Sequence, residues 1–201
     1  MRRKDGFTIV ELMAATAISV LFSVAFFAAF YAMRNELYQQ TSFFNSNRSV
    51  RFAVDIIARD AKEAISIEPT RGADTTGNQV LILRLASIDA NGEPTNFDTD
   101  FDYVVYKLDS ADPAILRRSL DVLNGTSTRN AGADITDKEV ARSVQTLLFS
   151  SGGVGLSSLT AQTISGLRQM NIQIQARGTT LLSTQTQTAE GDSELLLRNK
   201  V

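Results

Sequence analysis

The chain has 201 residues, 43% of them hydrophobic and 21% charged, which suits one compact domain with a small extra element. Its formal net charge of −2 gives no sign of the clustered cations that a nucleic-acid partner requires. Cysteine and histidine are both absent, which removes disulfides, thiolate nucleophiles, imidazole bases and nearly all zinc chemistry.

The N-terminus reads Met-Arg-Arg-Lys-Asp-Gly and is followed by an apolar run from Phe7 to Met33, in which Glu11 is the only charge and neither Pro nor Gly occurs. As a helix this run is about 40 Å long, more than the roughly 30 Å of a bilayer's hydrocarbon core. It is therefore read as a membrane span. The basic flank predicts a cytoplasmic N-terminus, with everything after residue 34 across the membrane. A secretory signal peptide is the alternative, because Ala15-Thr16-Ala17 matches a cleavage site. Cleavage there would leave the apolar stretch Ile18 to Met33 at the new terminus, and the signal's own core would contain Glu11. A plain single-pass anchor accounts for the hydropathy without any cleavage.

A carboxylate within a spanning helix costs about 2.5–3.5 kcal/mol on insertion scales, so Glu11 is a functional candidate that needs a partner. The stretch Gly6-Phe7-Thr8-Ile9-Val10-Glu11-Leu12, behind a short basic leader and ahead of a long uncharged helix, resembles the N-terminus of type IV prepilins and of the pseudopilins of type II secretion. That resemblance implies a membrane-embedded prepilin peptidase that cuts between Gly6 and Phe7 and methylates the new amine of Phe7. The anchor would survive such a cut. The resemblance further implies that Glu11 pairs with the amine of a neighbouring subunit and so sets axial register. The residues themselves equally allow a pair between Glu11 and the freed amine of Phe7 in the same chain, i to i+4.

Helical character continues past Met33. Val50, Val54, Ile57, Ala61 and Ile65 form an amphipathic stripe, while Arg51, Asp55, Arg59 and Glu63 alternate in sign on another face, where a solvated role is expected. Pro69 supplies a stop. One helix of about 60 residues is possible, with Thr41-Ser42 or Asn45-Ser46-Asn47 as the expected break. The rings of Phe22, Phe26, Phe27, Phe30, Tyr31, Tyr38, Phe43, Phe44 and Phe52 are read as lipid-facing, interfacial or packing groups rather than an electron path.

Beyond Pro69 the period changes. Gln79 to Ser87, Phe101 to Leu108, Ala114 to Leu120, Val140 to Ser150 and Leu167 to Arg177 read as strands. Turn-rich stretches separate them at Arg71 to Asn78, Asp89 to Asp98, Asn124 to Thr136 and Ser150 to Ser158. A meander of such strands predicts an antiparallel sheet with one apolar face, covered by the stripe from Val50 to Ile65. The expected fold is α+β and pilin-like: residues 1–6 as leader, 7–33 as transmembrane and filament-core helix, 34–68 as amphipathic helix and 69–201 as a periplasmic sheet domain. Tyr106 to Leu108, then Leu116 to Arg118, and the closing Leu197-Arg198-Asn199 resemble, more loosely, the larger minor pilins and J-type pseudopilins.

Asp89-Ala90-Asn91-Gly92-Glu93 and Asp98-Thr99-Asp100-Phe101-Asp102 offer oxygens for calcium, but neither follows the EF-hand order, and Asp and Asn dominate turns in any case. No metal or cofactor is expected. There is no G-x-S-x-G elbow, Walker loop or S-x-x-K, and Gly152-Gly153-Val154-Gly155 lacks a following Lys, so the chain is expected to be a substrate of the leader peptidase rather than an enzyme. The resemblance implies as partners the prepilin peptidase, other pilins or pseudopilins, an inner-membrane assembly platform and membrane lipid. It places the chain in a bacterial inner membrane with the domain in the periplasm, and then in a pilus or pseudopilus.

Overall fold

A computed structural model of the chain describes residues 8–95, 100–122, 127–130, 137–178 and 187–197. It is an α+β molecule built on one long helix. Helix α1 runs unbroken from Ile9–Glu63, about 80 Å at the standard rise. No break occurs at Thr41-Ser42 or at Asn45 to Asn47. The Thr41 hydroxyl bonds back to the Leu37 carbonyl at 2.8 Å, so a poor helix former is accommodated within the ladder. No residue from Thr8 to Asn45 is buried; Ser46, Val50, Ala53, Ile57, Asp60 and Ala61 are.

The helix ends earlier than Pro69 predicts. Ala64 turns to extended geometry at φ −68° and ψ 139°, and Ala64–Ile67 becomes strand β1. This corrects the amphipathic helix of 34–68. Ile57, Ala61 and Ile65 keep a helical spacing, but the edge of a neighbouring strand offers ladder hydrogen bonds, and β1 takes them in antiparallel register, Ser66 opposite Arg84 and Ile67 opposite Leu83.

The remaining strands are β2 (Thr70–Arg71), β3 (Asp74–Thr75), β4 (Val80–Ala86), β5 (Phe101–Leu108), β6 (Leu116–Val122), β7 (Lys138–Ala141), β8 (Val144–Ser151), β9 (Val154–Gly155), β10 (Gln169–Gly178) and β11 (Gln187–Leu196). A short helix α2, Ala161–Ser165, precedes β10. The expected single sheet is in fact two main sheets, ordered β1-β4-β5-β6-β7 and β11-β10-β8-β9, with a separate β2-β3 hairpin that starts at Thr70 and runs into the stretch from Arg71 to Asn78. The strand expected at Val140 to Ser150 divides between them. Ser143, at φ 58°, makes the turn after Arg142, so β7 finishes the first sheet and β8 starts the second.

One hydrophobic core joins the helix to both sheets: Val50, Ala53 and Ile57 of α1 meet Leu81, Leu83 and Leu85 of β4, Phe149 of β8, and Met170, Ile172 and Ile174 of β10. The first sheet is apolar on its other face as well, where Ile82, Tyr103 and Val105 form a second cluster with Val80 and Phe101. That overturns the expectation of one apolar face. Guanidinium groups cover the second cluster, with Arg71 4.2 Å from the Tyr103 ring centroid and Arg84 4.5 Å from that of Phe101.

Candidate functional site

The first candidate site is the start of α1. Gly6 and Phe7 lie outside the described residues, as does the leader 1–6; Thr8 and Glu11 are described. Thr8 is the N-cap, extended at φ −75° and ψ 154°. Its hydroxyl oxygen accepts from the Glu11 backbone N–H at 3.3 Å. In return the Glu11 carboxylate oxygen Oε2 accepts from the Thr8 backbone N–H at 2.9 Å and from the Thr8 hydroxyl at 3.0 Å. This is a reciprocal capping box at the positive end of a helix dipole.

Glu11 thus has a partner within its own chain that the sequence reading did not name. The T-x-x-E spacing of Thr8-Ile9-Val10-Glu11 carries that signal, and the apolar run around it drew attention to the missing cation instead. Within the apolar stretch three other hydroxyls are also satisfied locally. The hydroxyls of Thr16, Ser19 and Ser23 donate to the carbonyls of Met13, Ala15 and Ser19 at 2.8 to 2.9 Å. Each of these bonds spares a hydroxyl from standing unpaired in hydrocarbon. Ala15-Thr16-Ala17 lies within α1, close to its N-terminal end, and among the described residues α1 is the one helix long and apolar enough to cross a membrane.

Two buried acidic knots sit in the domain. Asp60 of α1 is 3% exposed, and its Oδ2 accepts from the Tyr106 hydroxyl at 2.5 Å and from Arg118 Nε at 2.7 Å. Burial, then the Asp60 carboxylate, pushes the Tyr106 phenol well above its ordinary pKa. Arg118 is held above its ordinary value by the Asp60 carboxylate, although desolvation works against it. Asp102, fully buried, accepts from Ser87 Oγ at 2.9 Å and Ser127 Oγ at 2.6 Å, with Arg129 Nε at 3.4 Å. Ser127 in turn accepts from the backbone N–H of Ile88 and Arg129. Each hydroxyl is consumed in holding a loop, and each carboxylate meets a guanidinium, so these knots fasten elements together.

In the first acidic stretch the Asp89 carboxylate is engaged by its own loop. Asp89 Oδ1 accepts from the N–H groups of Asn91 at 2.8 Å and Glu93 at 2.9 Å, which hold its carboxyl below the usual range, the Glu93 bond foremost. Asp98 and Thr99 lie outside the described residues, and Asp102 is committed to its knot. Most of Asn124 to Thr136, and Arg198-Asn199 of the closing cue, also lie outside them. The charges of α1 do not pair with each other as their spacing suggests. Arg51 Nε donates to Asn47 Oδ1 at 3.2 Å, Glu63 accepts from Arg129 Nη1 at 2.8 Å, and Arg51, Asp55, Arg59 and Glu63 are all exposed.

No family model, curated protein or solved structure matches this chain.

Proposed function

We propose that the chain is a prepilin-like structural subunit of the minor-pilin kind, cut between Gly6 and Phe7 by a prepilin peptidase and drawn from the inner membrane into a type IV pilus filament. Support comes from one arrangement. The motif from Gly6 to Leu12 heads a bare apolar helix that continues without a break into a sheet domain, and its one carboxylate, Glu11, sits in the first turn where a cation from a freed terminus can reach it. In this proposal Phe7 carries the methylated amine and the helix from Phe7 packs in the filament core. Glu11 exchanges its bonds to Thr8 for a neighbour's amine, and the sheet domain meets other pilins at the filament surface. A pseudopilin of a type II secretion system would use the same residues in the same way.

Mass spectrometry of the purified N-terminus tests the first step. A chain that begins at N-methylated Phe7 supports the proposal; a chain that keeps Met1 to Gly6 is a plain single-pass anchor. Glu11→Ala is expected to leave membrane insertion and leader cleavage intact while lowering recovery in sheared filaments by about tenfold, the worth of one buried charge pair of modest strength. Wild-type recovery would remove the register role from Glu11.

A further inference from the structure

Among the described residues, two exposed faces of the domain carry opposite charge. The first is the outer face of the second sheet. Strand alternation sends Met170, Ile172, Ile174 and Leu195 into the core, so Asn171, Gln173 and Gln175 of β10 and Glu190, Asp192 and Glu194 of β11 face outward. Antiparallel register sets Asn171 opposite Glu194, Gln173 opposite Asp192 and Gln175 opposite Glu190, a ladder of amides beside carboxylates. Glu190 Oε1 accepts from Gln173 Nε2 at 2.9 Å and Gln175 Nε2 at 3.2 Å. A shallow depression of about 390 Å³ opens here, lined in part by Leu148, Gln173, Asp192 and Glu194. Strands β8, β10 and β11 together carry one cation, Arg177.

The second face is the free side of α1. Phe44, Arg48, Arg51, Phe52, Asp55 and Arg59 recur at helical spacing, are all exposed, and lie opposite the buried Val50, Ala53 and Ile57. Most of them line a groove of about 520 Å³. Phe44 is 66% and Phe52 50% exposed, on a helix already well past the apolar stretch. The two faces point in opposite directions, since the helix lies flat on the inner side of the sheet. They also stand at the same level. A Cβ at Gly191 would come within 2.6 Å of Val50 Cγ1 and 3.2 Å of Val54 Cγ2, which puts Glu190 and Asp192 directly behind the helical turn that carries Arg51.

We infer that these faces take a second copy of this chain. The arginine and phenylalanine stripe of one α1 docks on the amide and carboxylate face of the next molecule's β10 and β11. Copies anchored at one depth in a membrane meet side by side with their charges already level. Such a head-to-tail contact does not close on itself, so it extends from molecule to molecule. Its attraction is between exposed charges and falls with salt. The contact goes beyond the filament proposal and does not depend on how the N-terminus is processed, so a chain that retains Met1 would end that proposal and leave this one standing.

The absence of cysteine makes the test direct. Full-length Asn47→Cys and Gln173→Cys chains, brought together in one membrane, are expected to form a mixed disulfide on mild oxidation. Adding Arg48→Glu and Arg51→Glu to the first chain is expected to lower its yield about tenfold, and adding Asp192→Arg and Glu194→Arg to the second to restore it. The restoring pair keeps the test valid should reversal alone harm folding. A yield no higher than that from Ala111→Cys paired with Asn47→Cys, a yield indifferent to charge reversal, or cross-linking of Asn47→Cys only to a different protein overturns the proposal.

Discussion

The two ends of α1 obey the same helical geometry and differ in what surrounds them. From Ile9 to Met33 every residue is exposed among the described residues. From Ser46 to Ala61 the same helix packs one stripe against both sheets, with Val50, Ala53 and Ile57 in the core. Apolar content does not distinguish them, because the first half is the more apolar and the less buried. What differs is the partner. The first half is apolar all round and matches a uniform medium such as lipid; the second is apolar on one stripe and needs a shaped surface on that side alone.

This contrast breaks most visibly at Asp60. Asp60→Ala leaves Arg118 and the Tyr106 hydroxyl buried without their acceptor, and should destabilise the domain by about 3–5 kcal/mol in denaturant unfolding of the full chain in detergent, with insertion of the first half unchanged. Tyr106→Phe removes one hydrogen bond to a charged group, about 1.5–3 kcal/mol, and should also change the pH response. Below the ordinary phenol value of 10.0 the Tyr106 hydroxyl is protonated in both states and its contribution is complete. Above it the unfolded chain ionises first, so stability falls as pH rises; unfolding midpoints between neutral and strongly alkaline pH should fall less steeply in Tyr106→Phe than in the parent. Gly191→Ala presses a methyl group into Val50 and should cost about 1–3 kcal/mol, read as a lowered melting temperature. At the exposed end, Leu21→Ala leaves no cavity in the domain and should move its unfolding by less than about 0.5 kcal/mol. A larger shift there would mean that the two halves are not independent.

The strands that alternate cleanly were legible. Phe101–Leu108 matches the expected range, and β4, β6 and β10 lie within two residues of theirs at each end. Those that failed did so for identifiable reasons. β1 was hidden in a helical pattern, since Ala61 and Ile65 continue the stripe until β4 offers a free edge. β7 and β8 read as one strand because nothing in Arg142-Ser143 but an unusual backbone angle at Ser143 separates them. β11, Gln187–Leu196, was missed altogether. Its outward positions are acidic and it holds a glycine at 191, so its strand character comes from pairing with β10 along ten residues. At the candidate site, Glu11 was visible as a charge in an apolar run, whereas its bonds to Thr8 required the capping-box spacing to be weighed against the membrane signal. Tyr106 was part of a weak family cue, and its bond to Asp60, 46 positions away, bears on no local pattern.

By itself the sequence determined where the apolar rod begins, which residue within it is charged, and which strands turn one side to a core. These are local properties, set by hydropathy and by periods of 3.6 and 2 residues along a short stretch of chain. Only the tertiary structure decided that α1 stops at Glu63, that the strands divide between two sheets, and that Asp60 joins Tyr106 and Arg118. Backbone ladders and buried ion pairs depend on what stands opposite, and a partner dozens of residues distant leaves no periodic trace in either segment.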